Sequence, residues 1–166
     1  MLVEAWAKIP SSIREGWTLE IVGSGSYENI LHEFIKRHCN DNSIKILPPK
    51  KEISLMYSSH SIFCFPSRYE GFGMTLLEAE THGMPSVSFD CPCGPSDLII
   101  DGQNGFLIPP YNIENFSEKL SLLITDVTLR ESLGQNAKEF VKKNFSSKRI
   151  MQQWTELFQS MLKIQA

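Results

Sequence analysis

Two glutamates eight residues apart frame a glycine-containing turn near the middle of the chain. The segment reads Glu70-Gly-Phe-Gly-Met-Thr-Leu-Leu-Glu78 and follows an apolar run that is typical of a buried strand. Gly71 and Gly73 have no Cβ atom, so a ligand can approach the backbone closely there. The amide groups that follow would be the unpaired donors of a helix's first turn, and such donors suit an anion such as a diphosphate.

The two carboxylates favour a ligand that carries hydroxyl groups as well as phosphate. A carboxylate beside an anion site needs hydrogen-bond donors, and sugar or ribose hydroxyls would supply them. Glu78 lies about a turn and a half inside the expected helix and can face the same cleft as its start. Glu80 is offset from Glu78 and is expected to be exposed. A plainer interpretation stays open, in which the glycines serve only the turn and Glu78 is a solvated helix residue.

Length and composition narrow the class of protein. The chain has 166 residues, of which 42% are hydrophobic and 21% charged, and this suits a single domain spanning residues 1–166. A net charge of -3 argues against a nucleic-acid partner. No apolar run approaches the roughly 20 residues that span a bilayer. The first residues also lack the basic start and apolar core of a signal peptide.

Four cysteines are present, at Cys39, Cys64, Cys91 and Cys93. The last two form a C-x-C pair, and a zinc site would need a second pair of ligands, for which His82 is the only near candidate. We therefore expect no metal site. Free thiols without a signal peptide suggest a reducing, cytoplasmic compartment.

Strand and helix patterns alternate along the chain. Short apolar runs predict five strands, at Thr18–Val22, Ile44–Leu47, Ser61–Phe65, Pro85–Phe89 and Gly105–Ile108. Helical periodicity predicts seven helices, at Leu2–Ile9, Tyr27–His38, Glu52–Ser58, Gly73–His82, Ile113–Ile124, Val127–Lys143 and Ser147–Lys163. The alternation predicts an α/β fold with a Rossmann-like doubly wound parallel sheet in three α/β/α layers. Ligands of such sheets bind at the carboxyl ends of the strands.

Smaller expectations concern individual side chains. The helix Tyr27–His38 should place Ile30, Leu31, Phe34 and Ile35 on one face. Asn112 should cap the helix that follows it. The three tryptophans should pack in the protein rather than stack on a sugar: Trp6, Trp17 and Trp154.

Four motifs in order carry a family resemblance. They are VGSG at residues 22–25, PSRYEGFGMTLLEA at 66–79, PSVSFDCPCGPSDLI at 85–99 and DGQNGFLIPP at 101–110. The set resembles the retaining GT-B glycosyltransferases of group 1, or family 4, which include bacterial polysaccharide and lipopolysaccharide enzymes. The resemblance covers roughly Thr18 to Asn112.

The resemblance implies a role for each matching residue. Glu70 would contact donor-sugar hydroxyls near the reacting carbon, and Glu78 would hold the ribose hydroxyls. The other implied donor-binding residues are Gly71, Phe72 and Gly73 along the sugar and phosphates, Met74 and Thr75 at the diphosphate, Ser24 or Gly25 near the sugar or distal phosphate, and Pro49 and Lys50 at the base.

The implied reaction is metal-independent hexosyl transfer with retention and without a cofactor. The donor would be a UDP- or GDP-sugar, and the acceptor a growing glycan or its lipid-linked precursor. GT-B enzymes place the acceptor on an amino-terminal domain, for which 166 residues leave no room. A full-length enzyme of this kind would associate peripherally with the inner membrane.

The resemblance also implies a missing strand. In relatives the first strand of this carboxyl-terminal domain is central in the order 3-2-1-4-5-6, and it supplies an Arg and a Lys for the diphosphate. This chain starts after that strand. We therefore expect weak donor binding without transfer by the chain alone. The strands Thr18–Val22 and Ser61–Phe65 should each have an unpaired edge, unless direct pairing, a neighbouring chain or a shift of Leu2–Ile9 closes the gap.

Two other functions compete with this interpretation. A non-catalytic nucleotide-sugar-binding module could have the same fold, because fold does not determine activity. A dinucleotide-dependent oxidoreductase would use the G-x-G of VGSGSYE, but Glu28 stands where the third glycine belongs.

Overall fold

The computed structural model describes residues 1–39 and 42–164, in which helices and parallel strands alternate. The strands are β1 (Leu19–Val22), β2 (Ile44–Leu47), β3 (Phe63–Phe65), β4 (Ser86–Phe89) and β5 (Gly105–Ile108). The helices are α1 (Leu2–Lys8), α2 (Glu28–His38), α3 (Ile53–Ser59), α4 (Met74–Thr81), α5 (Pro95–Leu98), α6 (Ile113–Thr125), α7 (Val127–Asn144) and α8 (Ser147–Ile164). Every predicted element is confirmed to within two residues at each end.

One helix, α5, was missed by the sequence patterns. It has four residues, too few for helical periodicity, and begins with Pro95 after Gly94. Proline at the first helical position is a recognised start signal. The predicted cap at Asn112 is confirmed, since its side chain accepts a hydrogen bond from the Asn115 amide at 3.0 Å.

The strands form two sheets in which each neighbouring pair is parallel. Strand β1 pairs with β2, with Leu19 opposite Ile44. Strand β4 lies between β3 and β5, with Ser86 opposite both Phe63 and Gly105. A Cβ atom at Gly105 would lie 2.8 Å from the Ser86 carbonyl oxygen, so the close strand contact requires glycine there.

Helices cover both faces of the strands. Alternate strand residues point to opposite faces, so Ile62 and Cys64 join the large core beside α1 and α6. Phe63 and Phe65 point the other way, into the smaller clusters that include residues of α3, α4 and α5. The three-layer α/β/α arrangement is therefore confirmed.

The apolar side chains of α2 and α8 are covered to different degrees. On α2, Leu31, Phe34 and Ile35 are half-buried, whereas Ile30 is 61% exposed. The prediction that Trp154 packs in the protein is wrong, because this α8 side chain is half exposed and lies beside Phe158. Trp6 is buried as expected.

A groove of about 380 Å³ separates β1 from β3, and no ladder joins these two strands. Helix α1 keeps its helical form and contributes Leu2 to the groove lining, so it does not fill the gap as a strand. The Nε2 atom of His60 lies 2.9 Å from Oε2 of Glu20, and this hydrogen bond joins the two sides. The expected unpaired edges are confirmed, and the described strands do not form an ordinary six-stranded sheet.

Candidate functional site

The turn between β3 and α4 presents an open helix start. Gly73 has a φ of 91°, a left-handed conformation that side chains other than glycine's rarely adopt, and it is the residue before the helix. Among the described residues, no side chain caps this end of α4. The Leu77 amide bonds the Gly73 carbonyl at 3.1 Å, which leaves the amides of the first turn without helical partners. The helix start predicted at Gly73 is therefore present, and such open amide groups are the type of donor that suits an anion.

Glu70 is held at the entrance to this helix start by a neighbour in the same turn. The Ser67 hydroxyl donates to Glu70 Oε1 at 2.6 Å, a short charge-assisted bond. Within the residues that the structure describes, no protein group bonds to Oε2. One oxygen of Glu70 thus fixes the carboxylate, and the other can accept a hydrogen bond from a ligand hydroxyl.

Glu78 is oriented by a residue that the sequence patterns did not select. The Tyr57 hydroxyl on α3 donates to Glu78 Oε2 at 3.1 Å. Burial of Tyr57, and then this hydrogen bond, raise the pKa of the Tyr57 hydroxyl to about 12. Glu78 is half-buried and fixed from a second helix, which disfavours the view that it is merely a solvated helix residue. Tyr57 lies 21 residues earlier, so no local spacing connects it to Glu78.

The expectation that Glu80 is exposed is wrong. Its side chain is fully buried, and neither carboxyl oxygen has a hydrogen-bond partner. Burial raises the pKa of Glu80 to about 8. The physical reason is the helix period of about 100° per residue, which places Glu80 on the same inward face as Leu76 rather than beside Glu78. Glu80 therefore belongs to the protein interior and not to the candidate site.

The loop after β4 supports the turn that carries Glu70. A Cβ atom at Gly94 would lie 2.0 Å from the Phe72 carbonyl oxygen, and Gly94 has a φ of 101°. Cys91 in the same loop is buried, and burial followed by the charge of Glu70 raises the pKa of its thiol. The two loops are therefore in direct contact at their backbones.

Phe72 contributes its backbone rather than its ring to the site. The ring packs in the small core cluster with Phe65 and Leu76, and its centroid lies 5.7 Å from that of Phe145. Gly71, Met74 and the side chain of Thr75 are exposed beside it. The anchored ring thus fixes the position of a peptide segment that faces solvent.

The other candidate residues lie at the same edge of the molecule. One end of the groove is lined by Val22, Pro66 and Thr75, and the opposite end of the same gap by Trp17 and Ser61. Because β1 and β3 begin at one end of the gap and finish at the other, their carboxyl ends share an edge.

Residues after β1 and β2 remain separate from the Glu70 turn. Ser24 and Gly25 follow β1, and Pro49 and Lys50 follow β2; all four are exposed. In the described ranges no hydrogen bond or ion pair joins them to the turn after β3. The structure thus brings the predicted donor residues to one open edge and brings only those from Glu70 to Glu78 into a compact group.

The described part of the chain contains no group of three His, Cys, Asp or Glu residues placed to hold a metal ion. His82 ends α4, and its Nδ1 atom lies 2.8 Å from the Glu78 carbonyl oxygen. None of the described helices has both the length and the apolar character needed to cross a membrane.

Comparison with known proteins gives consistent matches. A family model for glycosyl transferases group 1 matches residues 1–140. The amylovoran biosynthesis glycosyltransferase AmsD of Erwinia amylovora is 32% identical over 156 residues, which are 94% of this chain and 43% of AmsD.

Solved structures show the same fold. HepE of Anabaena, solved in complex with UDP-glucose, matches with a TM-score of 0.83 at 27% identity and covers 96% of this chain and 44% of HepE. The pneumococcal O-GlcNAc transferase GtfA, solved with UDP and GlcNAc, matches with a TM-score of 0.79 at 29% identity and covers 96% of this chain and 32% of GtfA.

The 166 residues therefore span less than half the length of these relatives. Their match to the family model includes the whole turn from β3 to α4 and both carboxylates that flank it. The parallel α/β fold matches GT-B glycosyltransferase structures over nearly the whole chain. On these grounds the chain belongs to the group 1 glycosyl transferases, as part of a GT-B fold.

Proposed function

We propose that the edge formed by the β3–α4 turn binds the nucleotide-diphosphate sugar donor of a glycosyl transfer reaction. The observation that carries this proposal is the uncapped start of α4 between two carboxylates that other residues hold in place. Amide groups at a helix start favour a diphosphate, and fixed carboxylates favour hydroxyl groups. A nucleotide sugar combines both kinds of group.

The residues divide the donor between them. Glu70 accepts hydrogen bonds from the sugar, with the backbone of Gly71, Phe72 and Gly73 beside it. The amides of Met74 and Thr75 bind the diphosphate, and Glu78 accepts from the ribose hydroxyls. On the neighbouring loops, Ser24 and Gly25 approach the sugar or distal phosphate, and Pro49 and Lys50 approach the base.

The proposed reaction is hexosyl transfer with retention, independent of a metal ion or cofactor. The departing diphosphate gains negative charge, and the α4 start would stabilise that charge electrostatically. Glu70 orients the sugar, and no side chain is assigned as a covalent nucleophile. The donor is a UDP- or GDP-sugar, in keeping with the UDP and UDP-glucose bound by the solved relatives.

A longer protein would complete this reaction. We propose that an amino-terminal domain supplies the acceptor side of the cleft, and that the acceptor is a glycan or a lipid-linked sugar. The enzyme would work in the cytoplasm, associated peripherally with the inner membrane face. We expect the 166 residues alone to bind the donor weakly and to transfer no sugar, because they span less than half the length of the relatives.

Calorimetric titration of the 166-residue chain tests the donor site. The panel contains UDP, GDP, UDP-glucose, UDP-GlcNAc, GDP-mannose and NAD. We expect saturable binding of uridine or guanosine nucleotides. Loss of charge-assisted hydrogen bonds in Glu78→Ala should weaken binding about tenfold to a hundredfold. Glu118→Ala, an exposed glutamate on α6, is the matched control and should bind like the parent chain.

Three outcomes would count against the proposal. Binding of NAD alone would favour an oxidoreductase. Equal affinities for Glu78→Ala and Glu118→Ala would remove Glu78 from the site. Binding of a nucleotide sugar with no turnover in a longer parent protein would favour a non-catalytic module.

A further inference from the structure

The loops that follow β3, β4 and β5 meet at one edge of the sheet. These three strands are parallel neighbours with β4 in the middle, so their carboxyl ends lie side by side. The loop after β3 carries Arg68 and Tyr69, and the loop after β5 carries Tyr111. All three side chains are exposed, and we refer to them as the Arg–Tyr surface.

Arg68 connects the two outer loops without using its charge in an ion pair. Its Cζ atom lies 6.0 Å from the centroid of the Tyr111 ring, which is a cation–π contact. Glu70 is close in the chain, but its carboxylate accepts a hydrogen bond from Ser67 instead. Among the described residues, no carboxylate forms an ion pair with Arg68. The N–H donors of this guanidinium can therefore bind an anion from outside the chain.

Tyr111 is held in place by its backbone rather than by burial of its ring. Its φ is 65°, a left-handed conformation that residues other than glycine rarely adopt. The Asn112 amide donates to the Pro109 carbonyl at 3.1 Å, and the next amide, of Ile113, donates to the carbonyl of Tyr111 itself at 2.9 Å. The ring is nevertheless 61% exposed. A positioned, exposed ring loses little conformational entropy when a ligand packs against it.

The Arg–Tyr surface and the proposed donor loops lie on opposite sides of Glu70. The donor loops follow β1 and β2, which the groove separates from β3. The Arg–Tyr surface extends the other way, across β4 to the loop after β5. Glu70, which we propose to contact the donor sugar, lies in the loop between them. An acceptor must reach the donor sugar from a side that the nucleotide does not occupy, and the Arg–Tyr surface borders such a side.

The chemistry of the Arg–Tyr surface suits a sugar that carries a negative charge. A tyrosine ring can pack against the apolar face of a sugar, and its hydroxyl can exchange hydrogen bonds with sugar hydroxyls. A guanidinium binds a phosphate or a carboxylate through two parallel hydrogen bonds. An uncharged sugar would leave the charge of Arg68 unused, and a small inorganic anion would leave both rings unused.

We infer that the Arg–Tyr surface recognises the sugar acceptor and selects one that carries a phosphate or a carboxylate. Arg68 binds the anionic group, and the rings of Tyr69 and Tyr111 pack against the acceptor sugar. This inference rests on the proposed function, because a protein that transfers no sugar has no acceptor. The surface is separate from the proposed diphosphate site at the start of α4.

NMR titration of the UDP-saturated 166-residue chain with glucose 6-phosphate and with glucuronate tests the inference. UDP fills the proposed diphosphate site, so the anionic group of the probe cannot bind there instead. We expect saturable shifts of the Arg68 Nε–H and of the Tyr69 and Tyr111 amides. Methyl glucoside and inorganic phosphate should each bind about tenfold more weakly than glucose 6-phosphate, because each makes only one of the two kinds of contact.

Two substitutions distinguish the Arg–Tyr surface from the donor site. Arg68→Gln and Tyr111→Asn should each weaken glucose 6-phosphate binding about tenfold and leave the affinity for UDP within about twofold. Asparagine tolerates the left-handed conformation, so Tyr111→Asn removes the ring without adding backbone strain. Arg149→Gln, at an exposed arginine of α8, is the matched control and should bind both ligands like the parent chain.

Different results would overturn the Arg–Tyr surface and the donor site. Absence of saturable UDP binding would contradict the proposed function and with it the acceptor role. In a chain that binds UDP, unshifted Arg68 and Tyr111 signals with both charged sugars would overturn the inference alone. Equal affinities for inorganic phosphate and glucose 6-phosphate, or equal glucose 6-phosphate binding by Arg68→Gln and Arg149→Gln, would do the same. So would a loss of UDP affinity in Arg68→Gln with unchanged glucose 6-phosphate binding, since Arg68 would then bind the donor diphosphate.

Discussion

The β3–α4 turn and the β1–β3 groove differ in how completely their polar groups are satisfied by the chain itself. In the turn, Ser67 and Tyr57 each hold one carboxylate, and a glycine loop fits closely behind. In the groove, β1 and β3 are not paired with each other in the described sheets, and His60 and Glu20 make a hydrogen bond across it. The comparison indicates that side chains of the described residues hold the two carboxylates of the turn, whereas the backbone edges that border the groove stay open.

The largest expected effect comes from enlarging the glycine behind the turn. Gly94→Ala places a Cβ atom 2.0 Å from the Phe72 carbonyl oxygen in a left-handed backbone. We expect a loss of about 4 kcal/mol in the free energy of unfolding, which is at the high end for one substitution. Urea denaturation measures it. Gly71→Ala is the control, because nothing lies within 4 Å of its would-be Cβ, and equal losses would contradict the close fit.

The second largest effect should be a pH dependence of the free energy of unfolding, caused by Glu80. Its pKa is raised to about 8 in the folded chain, so from about pH 4.5 upward the unfolded state loses this proton first. Stability contributed by the protonated form is therefore lost as pH rises, by up to about 4 kcal/mol between pH 4.5 and 8. Glu80→Met should be more stable at pH 8 and should lack this slope.

Urea titrations at several pH values compare Glu80→Met with Glu118→Met, an exposed position that should keep the slope of the parent chain. The contrary result is a parent chain that, relative to Glu80→Met, does not lose stability between pH 4.5 and 8. That result would show that Glu80 is not the buried, unpartnered carboxyl described above.

Removing the supports of the two carboxylates should weaken donor binding moderately. Tyr57→Phe deletes the hydroxyl that orients Glu78, and Ser67→Ala deletes the one that orients Glu70. Each loss of one hydrogen bond is expected to cost about 1 kcal/mol, or roughly fivefold in affinity. Calorimetry with UDP distinguishes the two variants, because only Tyr57→Phe should weaken the binding of a ligand that lacks the sugar. If both variants lowered the affinity for UDP equally, the division of the donor between Glu70 and Glu78 would be contradicted.

The smallest effect should come from the contact between Glu20 and His60 across the groove. Glu20 and His60 are both partly exposed, so their interaction is screened by water and salt. Glu20→Gln should lower the free energy of unfolding by less than about 1 kcal/mol, and less still in high salt. Urea transitions at two salt concentrations measure the difference. A loss of several kcal/mol would mean that this pair, rather than the surrounding helices, holds the two sheets together.

Local patterns predicted much of the fold because the elements depend on neighbouring residues. Strand and helix positions follow from apolar spacing, and the helix start at Gly73 follows from glycine and its neighbours. Helix α5 was missed because four residues show no periodicity. Periodicity places Ile30 on the apolar face of α2, but it does not show whether another element covers this residue, and Ile30 is 61% exposed.

Only the local parts of the candidate site can be expected from the sequence. Glu70 and Glu78 were selected from their spacing, and Ser67 lies only three residues before Glu70, its hydrogen-bond partner. Tyr57 could not be found, since its contact with Glu78 depends on how α3 packs against α4. Glu80 was misplaced because charged residues are seldom buried, and composition gives no sign of the exception.

Amide-resolved NMR titration of the 166-residue chain with UDP-glucose and UDP tests the central claim most directly. The account predicts saturable shifts of the Gly71, Gly73, Met74 and Thr75 amides with both ligands, and loss of those shifts in Glu78→Ala while Glu118→Ala keeps them. Shifts confined to residues away from the β3–α4 turn, or no saturable shift with any nucleotide of the panel, would contradict it.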